Sequence, residues 1–170
     1  SLTLHIYKKG SLQGDAKLAK LYEPLGVITE FQNSSIVLKN TKDVKTKIYK
    51  QNLNDNPDLA QTIVVSCLGL GINCYLNGLH TLKIKETDRL QALKNELEKF
   101  GGQVNIDEDS LELIPPENLQ SASDIKTYND HRMAMAFTPL MTLTDLKILD
   151  ADVVSKSYPE FWTDIQSIKN

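Results

Sequence analysis

Apolar residues follow several spacings along this 170-residue chain. Residues 1–9 alternate Leu2, Leu4 and Ile6 with polar neighbours, which predicts a strand. Residues 14–26 carry Leu18, Leu21 and Leu25 at helical spacing after Asp15, an N-cap residue type, with Pro24 and Gly26 as stop signals. Short strands are predicted at 27–31 and 35–38, joined by Gln32-Asn33-Ser34. Residues 62–70 are apolar on all sides, as a buried helix requires, and 73–79 read as a strand. Leu90, Leu93, Leu97 and Phe100 form the stripe of an amphipathic helix beginning near Lys85 and stopped by Gly101-Gly102; strands at 103–106 and 111–114 follow. A strand at 125–128, a helix at 130–141, a strand at 146–150 and a helix at 159–168 complete the pattern. The polar, lysine-rich stretch 40–56 is expected to be a mobile connection.

The order helix, strand, strand returns at an offset of about 75 residues, the mark of an internal repeat. At that offset Leu18, Leu25, Gly26, Ser35, Ile36 and Leu38 fall on Leu93, Phe100, Gly101, Ser110, Leu111 and Leu113. With 62–79 included, the unit reads β-α-β-α-β-β. The prediction is an α/β fold of parallel helices packed on mixed sheets. Residues 1–49 end one repeat, 50–116 form a complete one and 117–170 begin a third, so the chain is expected to be a portion of something larger.

Composition narrows the function. With 41% hydrophobic and 24% charged residues the chain is an ordinary globular sequence, and a formal net charge of -3 leaves no global positive field for nucleic acid or anionic lipid. Any anion site must be a local cluster. Cys67 and Cys74 lack metal-ligand spacing and read as buried free thiols in a reducing compartment. The longest apolar run is too short to span a bilayer, so a cytoplasmic location is expected, with neither nucleic acid nor membrane as partner.

Two clusters stand out. Lys85-Glu86-Thr87-Asp88-Arg89 and Asn129-Asp130-His131-Arg132-Met133-Ala134-Met135 each fall at a predicted helix start, where unpaired N–H groups and the helix dipole favour anions. On a helix starting at Lys85, Glu86 falls on the line of the apolar stripe, between the cations Lys85 and Arg89. There it is either an inward carboxylate fit for proton exchange or part of a solvent-facing i,i+4 charge pattern. Asn129 or Asp130 can cap the next helix while Met133, Ala134, Phe137 and Leu140 bury its face. That leaves Arg132 as a bidentate anion ligand and His131 as a proton shuttle or a structural hydrogen-bonding residue. Asp58 precedes an apolar helix and reads first as an N-cap. Lys156, before Tyr158-Pro159, taken alone is a surface lysine. Ser-His-Asp order, phosphate-binding glycine loops and metal-ligand clusters are absent from the sequence.

Gln13-Gly14-Asp15, Pro57-Asp58, the 85–89 and 128–135 motifs and Lys156 before Tyr158-Pro159 together resemble the 5-enolpyruvylshikimate-3-phosphate synthase family, in order and spacing along essentially the whole chain. The resemblance implies an inside-out α/β barrel domain, incomplete here, and transfer of the enolpyruvyl group of phosphoenolpyruvate to the 5-hydroxyl of shikimate 3-phosphate, without metal or organic cofactor. It implies that Asp58 is the partner and base for the shikimate hydroxyl, that Lys85 contacts shikimate 3-phosphate and that Glu86 exchanges a proton with the methylene carbon. Arg89, Arg132 and Lys156 would bind phosphoenolpyruvate, Lys156 also donating a proton, and His131 would lie among the binding residues. Thr81 stands where the family often has asparagine. Such enzymes have two domains of three units each; the resemblance covers only the later portion, so the missing N-terminal part is expected as a partner and the chain alone to be inactive. Enolpyruvyl transfer to another acceptor such as UDP-N-acetylglucosamine, and a non-catalytic module for phosphorylated metabolites, are the rival readings.

Overall fold

In the computed structural model, which describes residues 1–7, 9–85, 87–122 and 124–169, the chain divides into two compact units, Ser1–Tyr49 and Lys50–Asn170. In the first, the alternating N-terminal segment forms β1 (Leu2–His5). The helix expected over 14–26 is much shorter: a 3-10 turn covers Gly14–Lys17, and α1 only Leu18–Leu21. Asp15 lies inside the 3-10 turn instead of capping it, while Gln13, at the capping position, makes no side-chain cap; without a cap and with Pro24 ahead, little favours a longer helix. β2 (Val27–Phe31) and β3 (Ser35–Asn40) pair antiparallel, and β1 adds to the other edge of β3.

β4 (Ile48–Asn52), within which the division falls, occupies part of the stretch expected as connection. Ile48 and Tyr49, strand-favouring types, start it, and β5 supplies its hydrogen-bonding neighbour. A 3-10 turn at Pro57–Leu59 runs into α2 (Ala60–Leu70), buried on nearly every side as its composition requires. Gly71, at φ +66, ends α2 in a left-handed turn in which Ile72 N–H bonds the Cys67 carbonyl at 2.9 Å. β5 (Asn73–Asn77), an unforeseen 3-10 turn at His80–Ile84, α3 (Arg89–Glu98), β6 (Gln103–Ile106) and β7 (Ser110–Ile114) follow. The sheet order is β4-β5-β7-β6. The predicted stripe Leu90, Leu93, Leu97 and Phe100 is fully buried, and Phe100 stacks on Phe137 with ring centroids 6.1 Å apart.

The repeat is visible in the strand registers. Thr29 faces Leu38 and Phe31 faces Ile36 in the first hairpin; Val104 faces Leu113 and Ile106 faces Leu111 in the second, each pair displaced by the same offset of about 75 residues. The three-strand orders β1-β3-β2 and β5-β7-β6 also correspond.

The last part of the second unit places β8 (Asp124–Ile125) parallel to β9 (Lys147–Ile148), with α4 (His131–Phe137) between them. These elements are shorter than expected. Beyond Ile125 the N–H of Lys126 goes to the Glu96 carboxylate instead of a ladder. Past Phe137 the chain tightens into a 3-10 turn, Thr138–Thr142, that contains Pro139, which lacks the N–H for a regular helix. Another 3-10 turn, Ala151–Lys156, leads to α5 (Phe161–Lys169). Cys67 and Cys74 are buried and free; hydrogen bonding to Cys67 and burial push the Cys74 thiol up. Among the described residues no helix is long and apolar enough to cross a membrane, and no sheet closes into a barrel.

Candidate functional site

Asp58 gathers three cations. Its Oδ1 accepts from Arg89 Nη1 at 2.8 Å and lies 3.4 Å from Lys85 Nζ, while Oδ2 lies 3.9 Å from Arg132 Nη2. Arg132 Nη1 also reaches the Asp58 backbone carbonyl at 3.5 Å. The capping role expected of Asp58 is therefore not the one it plays. It sits inside the 3-10 turn ahead of α2, neither that turn nor α2 has a side-chain cap, and its carboxylate is spent on side chains brought from three other segments.

Arg89 is 2% exposed and Asp130 fully buried. Arg89 Nε donates to Asp130 Oδ2 at 2.5 Å, so the guanidinium bridges two carboxylates. Asp130 also caps α4, as one sequence option had it, accepting from Arg132 N–H at 2.9 Å through Oδ1. His131 Nδ1 is 4.0 Å from the same oxygen. The side chains of His131 and Arg132 are about a quarter and a third exposed, consistent with a place at the mouth of the site. Three cations meet two carboxylates among the described residues, which leaves the cluster electropositive and suited to an anion.

The helix expected from Lys85 begins only at Arg89. Asp88 caps it, accepting Gln91 N–H at 3.0 Å, and Lys85 is extended. The inward direction expected of Glu86 assumed a helix from Lys85; Glu86 itself lies outside the described residues. Asp88, a strong N-cap type just before Arg89-Leu90, was the signal for the true start. Lys85 arrives instead through the 3-10 turn after β5. That turn is anchored by Asp109, whose carboxylate accepts from Gly78 N–H at 3.3 Å and His80 N–H at 3.0 Å. Burial pushes the Asp109 carboxyl up, but those N–H groups outweigh it and leave it below its ordinary value. Among the described residues, Thr81, in the same turn, has a buried hydroxyl without a hydrogen-bond partner, as does Thr127, and both amide atoms of Gln61 are likewise unpartnered. Lys156 is exposed and makes no ion pair among the described residues, so it is not joined to the Asp58 cluster.

A second polar cluster escaped the sequence reading. Glu96 is fully buried; its carboxylate takes Lys99 Nζ at 2.5 Å, Lys126 N–H at 3.1 Å and the Tyr128 hydroxyl at 2.8 Å. Tyr128 and Asn129 both have left-handed backbones, φ +55 and +57. Asn tolerates this, whereas a tyrosine held there costs about 1–3 kcal/mol. Burial, then the hydrogen bond to and charge of Glu96, raise the Tyr128 phenol above its ordinary value despite the opposing Asn95 contact.

A family profile described as EPSP synthase (3-phosphoshikimate 1-carboxyvinyltransferase) matches residues 2–165. The chain belongs to the EPSP synthase family. Among curated relatives of that same description, one from Bacteroides fragilis is 42% identical over 159 residues, covering 92% of this chain and 38% of its own length. Another from Methanospirillum hungatei is 36% identical over 169 residues, covering 99% and 39%. The chain thus spans well under half the length of these relatives. A solved structure of an EPSP synthase from Acinetobacter baumannii superposes with a TM-score of 0.71 over 94% of this chain and 39% of that one; at 18% identity the likeness speaks for the fold.

In this chain of the EPSP synthase family, then, Asp58, Lys85, Arg89 and Arg132 converge, His131 lies beside them, and Lys156 makes no ion pair with them among the described residues. Asp130, read only as a cap, is also the buried partner of Arg89. Glu96 could have been found: at 100° per residue it falls within about 60° of Leu93 and Phe100, a carboxylate beside an apolar stripe.

Proposed function

We propose that this chain supplies part of the active site of an enzyme that transfers the enolpyruvyl group of phosphoenolpyruvate to the 5-hydroxyl of shikimate 3-phosphate, releasing phosphate. The observation that supports this best is the convergence of Lys85, Arg89 and Arg132 on Asp58. The hydroxyl oxygen adds to C2 of phosphoenolpyruvate as C3 gains a proton; phosphate then leaves and C3 gives up a proton, restoring the double bond. Such a sequence needs a base at oxygen, proton exchange at carbon and cations for a carboxylate and a leaving phosphate. Asp58 serves as the base, Glu86 exchanges the carbon proton, and Arg89, Arg132 and Lys156 hold phosphoenolpyruvate, Lys156 also donating a proton. Lys85 contacts shikimate 3-phosphate, and Thr81 and His131 lie among the substrate-binding residues. The scheme calls for no metal or organic cofactor, no nucleic acid and no membrane, and places the reaction in the cytoplasm. Residues 1–49, 50–116 and 117–170 act as parts of three successive repeats, and further contacts come from the rest of the same enzyme.

The test is phosphate release from phosphoenolpyruvate with shikimate 3-phosphate, by this chain and by a longer natural polypeptide that contains it. Turnover is expected in the longer polypeptide and not in the 170 residues alone. Glu86→Gln there should abolish turnover while phosphoenolpyruvate still binds; unchanged turnover sinks its proton role. Release with UDP-N-acetylglucosamine as the acceptor instead would shift the assignment, and binding without any release would favour a binding module.

Asp58 serves as internal counter-ion to the cations until an anion displaces it. Asp58→Asn should therefore bind inorganic phosphate roughly fivefold more tightly, about 1 kcal/mol, yet lose about 10²-fold or more in turnover. Isothermal titration gives the first number, and weaker phosphate binding would overturn the counter-ion role.

A further inference from the structure

We infer that Glu96 is a positioning residue for the anion-binding end of α4, acting through Tyr128 and the left-handed pair Tyr128-Asn129. The inference rests on the proposed anion site and adds a residue that no part of that site touches directly. Arg89 and Glu96 are seven residues apart on α3 and, at 100° per residue, lie within about 20° of the same face, two turns along the axis. Both are buried. Arg89 grips Asp130 at one end of the 124–132 segment, and Glu96 grips Lys126 and Tyr128 in its middle. Lys99 closes the other end, with Nζ bonded to Glu96 and, at 2.8 Å, to the Asp124 carbonyl. α3 and its C-cap residue Lys99 thus hold three points of the segment that delivers Arg132.

The left-handed pair makes this hold matter. Two successive non-glycine residues at positive φ do not persist through local preference. The turn they make sets Asp130 so that its N–H bonds the Thr127 carbonyl at 2.9 Å and its Oδ1 receives Arg132 N–H. The Tyr128 hydroxyl donates to Glu96 at 2.8 Å and accepts from Asn95 Nδ2 at 3.4 Å; the first, shorter and charge-assisted, is the stronger hold on the first of the pair. Glu96 needs no contact with a ligand: when the Tyr128 bond is lost, the turn relaxes and the start of α4 loses its place against Asp58.

Amide hydrogen exchange and a phosphoenolpyruvate titration of this chain test the inference together, in Glu96→Gln and in Tyr128→Phe. The second variant removes only a hydroxyl and guards against a folding failure in the first. Exchange at Asp130 and Arg132 should quicken at least tenfold more in both than exchange at Leu76 and Leu111 in the sheet, whose amides report any general loss of stability. Phosphoenolpyruvate affinity of the fully folded variants should fall about tenfold. Unchanged exchange at Asp130 and Arg132 in both variants overturns the inference. So does exchange that quickens equally at all four amides, the signature of a merely structural residue. If the unaltered chain binds neither phosphoenolpyruvate nor inorganic phosphate, the proposed anion site fails in this chain, and the exchange data still decide whether Glu96 sets the turn.

Discussion

Replacing Arg89 with alanine is expected to destabilise the second unit by about 3–5 kcal/mol, because it leaves the fully buried Asp130 carboxylate without its charge partner. Asp58 keeps Lys85 and Arg132, so the loss is concentrated on Asp130. Arg89→Lys preserves charge but not the fork: one ammonium cannot reproduce Nε on Asp130 and Nη1 on Asp58. Its cost should be that of one charged hydrogen bond, about 1.5–3 kcal/mol. Urea unfolding followed at Trp162, the chain's one tryptophan, reads the second unit directly. Adding Asp130→Ala to Arg89→Ala removes the stranded charge, so the pair should cost at most about 1 kcal/mol beyond Arg89→Ala, the share of the lost α4 cap. Fully additive losses would mean that Arg89 and Asp130 are not coupled as the geometry requires.

How much of this could be read in advance depended on the range of the interaction. The α3 stripe, the buried α2 and both hairpins were legible because their pattern is set by local periodicity and burial, and all four stripe residues are buried. The short α1 was not, since apolar spacing alone supplies no cap. Asp58 was misread as a cap because Arg89, the partner that claims it, lies 31 positions away. Asp130 was read as a cap and is one, but its bond to Arg89 spans 41 positions. The 85–89 and 129–135 motifs do bring their cations together, but not as two helix N-termini. The cations meet around a carboxylate, and only Arg89, His131 and Arg132 stand at helix starts. The angle of Glu96 on α3 places it beside the stripe, but the partners that bury it, Lys126 and Tyr128, lie 30 and 32 positions away.

Gly78 is expected to be the most sensitive glycine. Its φ is +78, and a Cβ there would lie 2.3 Å from Asn54 N and 2.7 Å from Asn54 Cα, both backbone atoms that cannot rotate aside. Gly78→Ala therefore adds about 1–2 kcal/mol of left-handed strain to about 1–3 kcal/mol of overpacking. Gly71→Ala is the control: φ is +66, but none of the described residues lies within 4 Å of its Cβ, so only the strain should appear. The close approach also bears on function. Leu53 N–H bonds the Asn77 carbonyl at 2.8 Å, where the chain leading to Asp58 crosses the chain leading to Lys85. An added methyl must push these two apart, and a displacement of about 1 Å between reacting groups can cost 10²-fold in rate. In a longer polypeptide with turnover, Gly78→Ala should lose rate as well as stability, whereas Gly71→Ala should lose stability alone. Equal urea midpoints and equal rates for the two variants would show that the crossing at Gly78 does not fix Asp58 against Lys85.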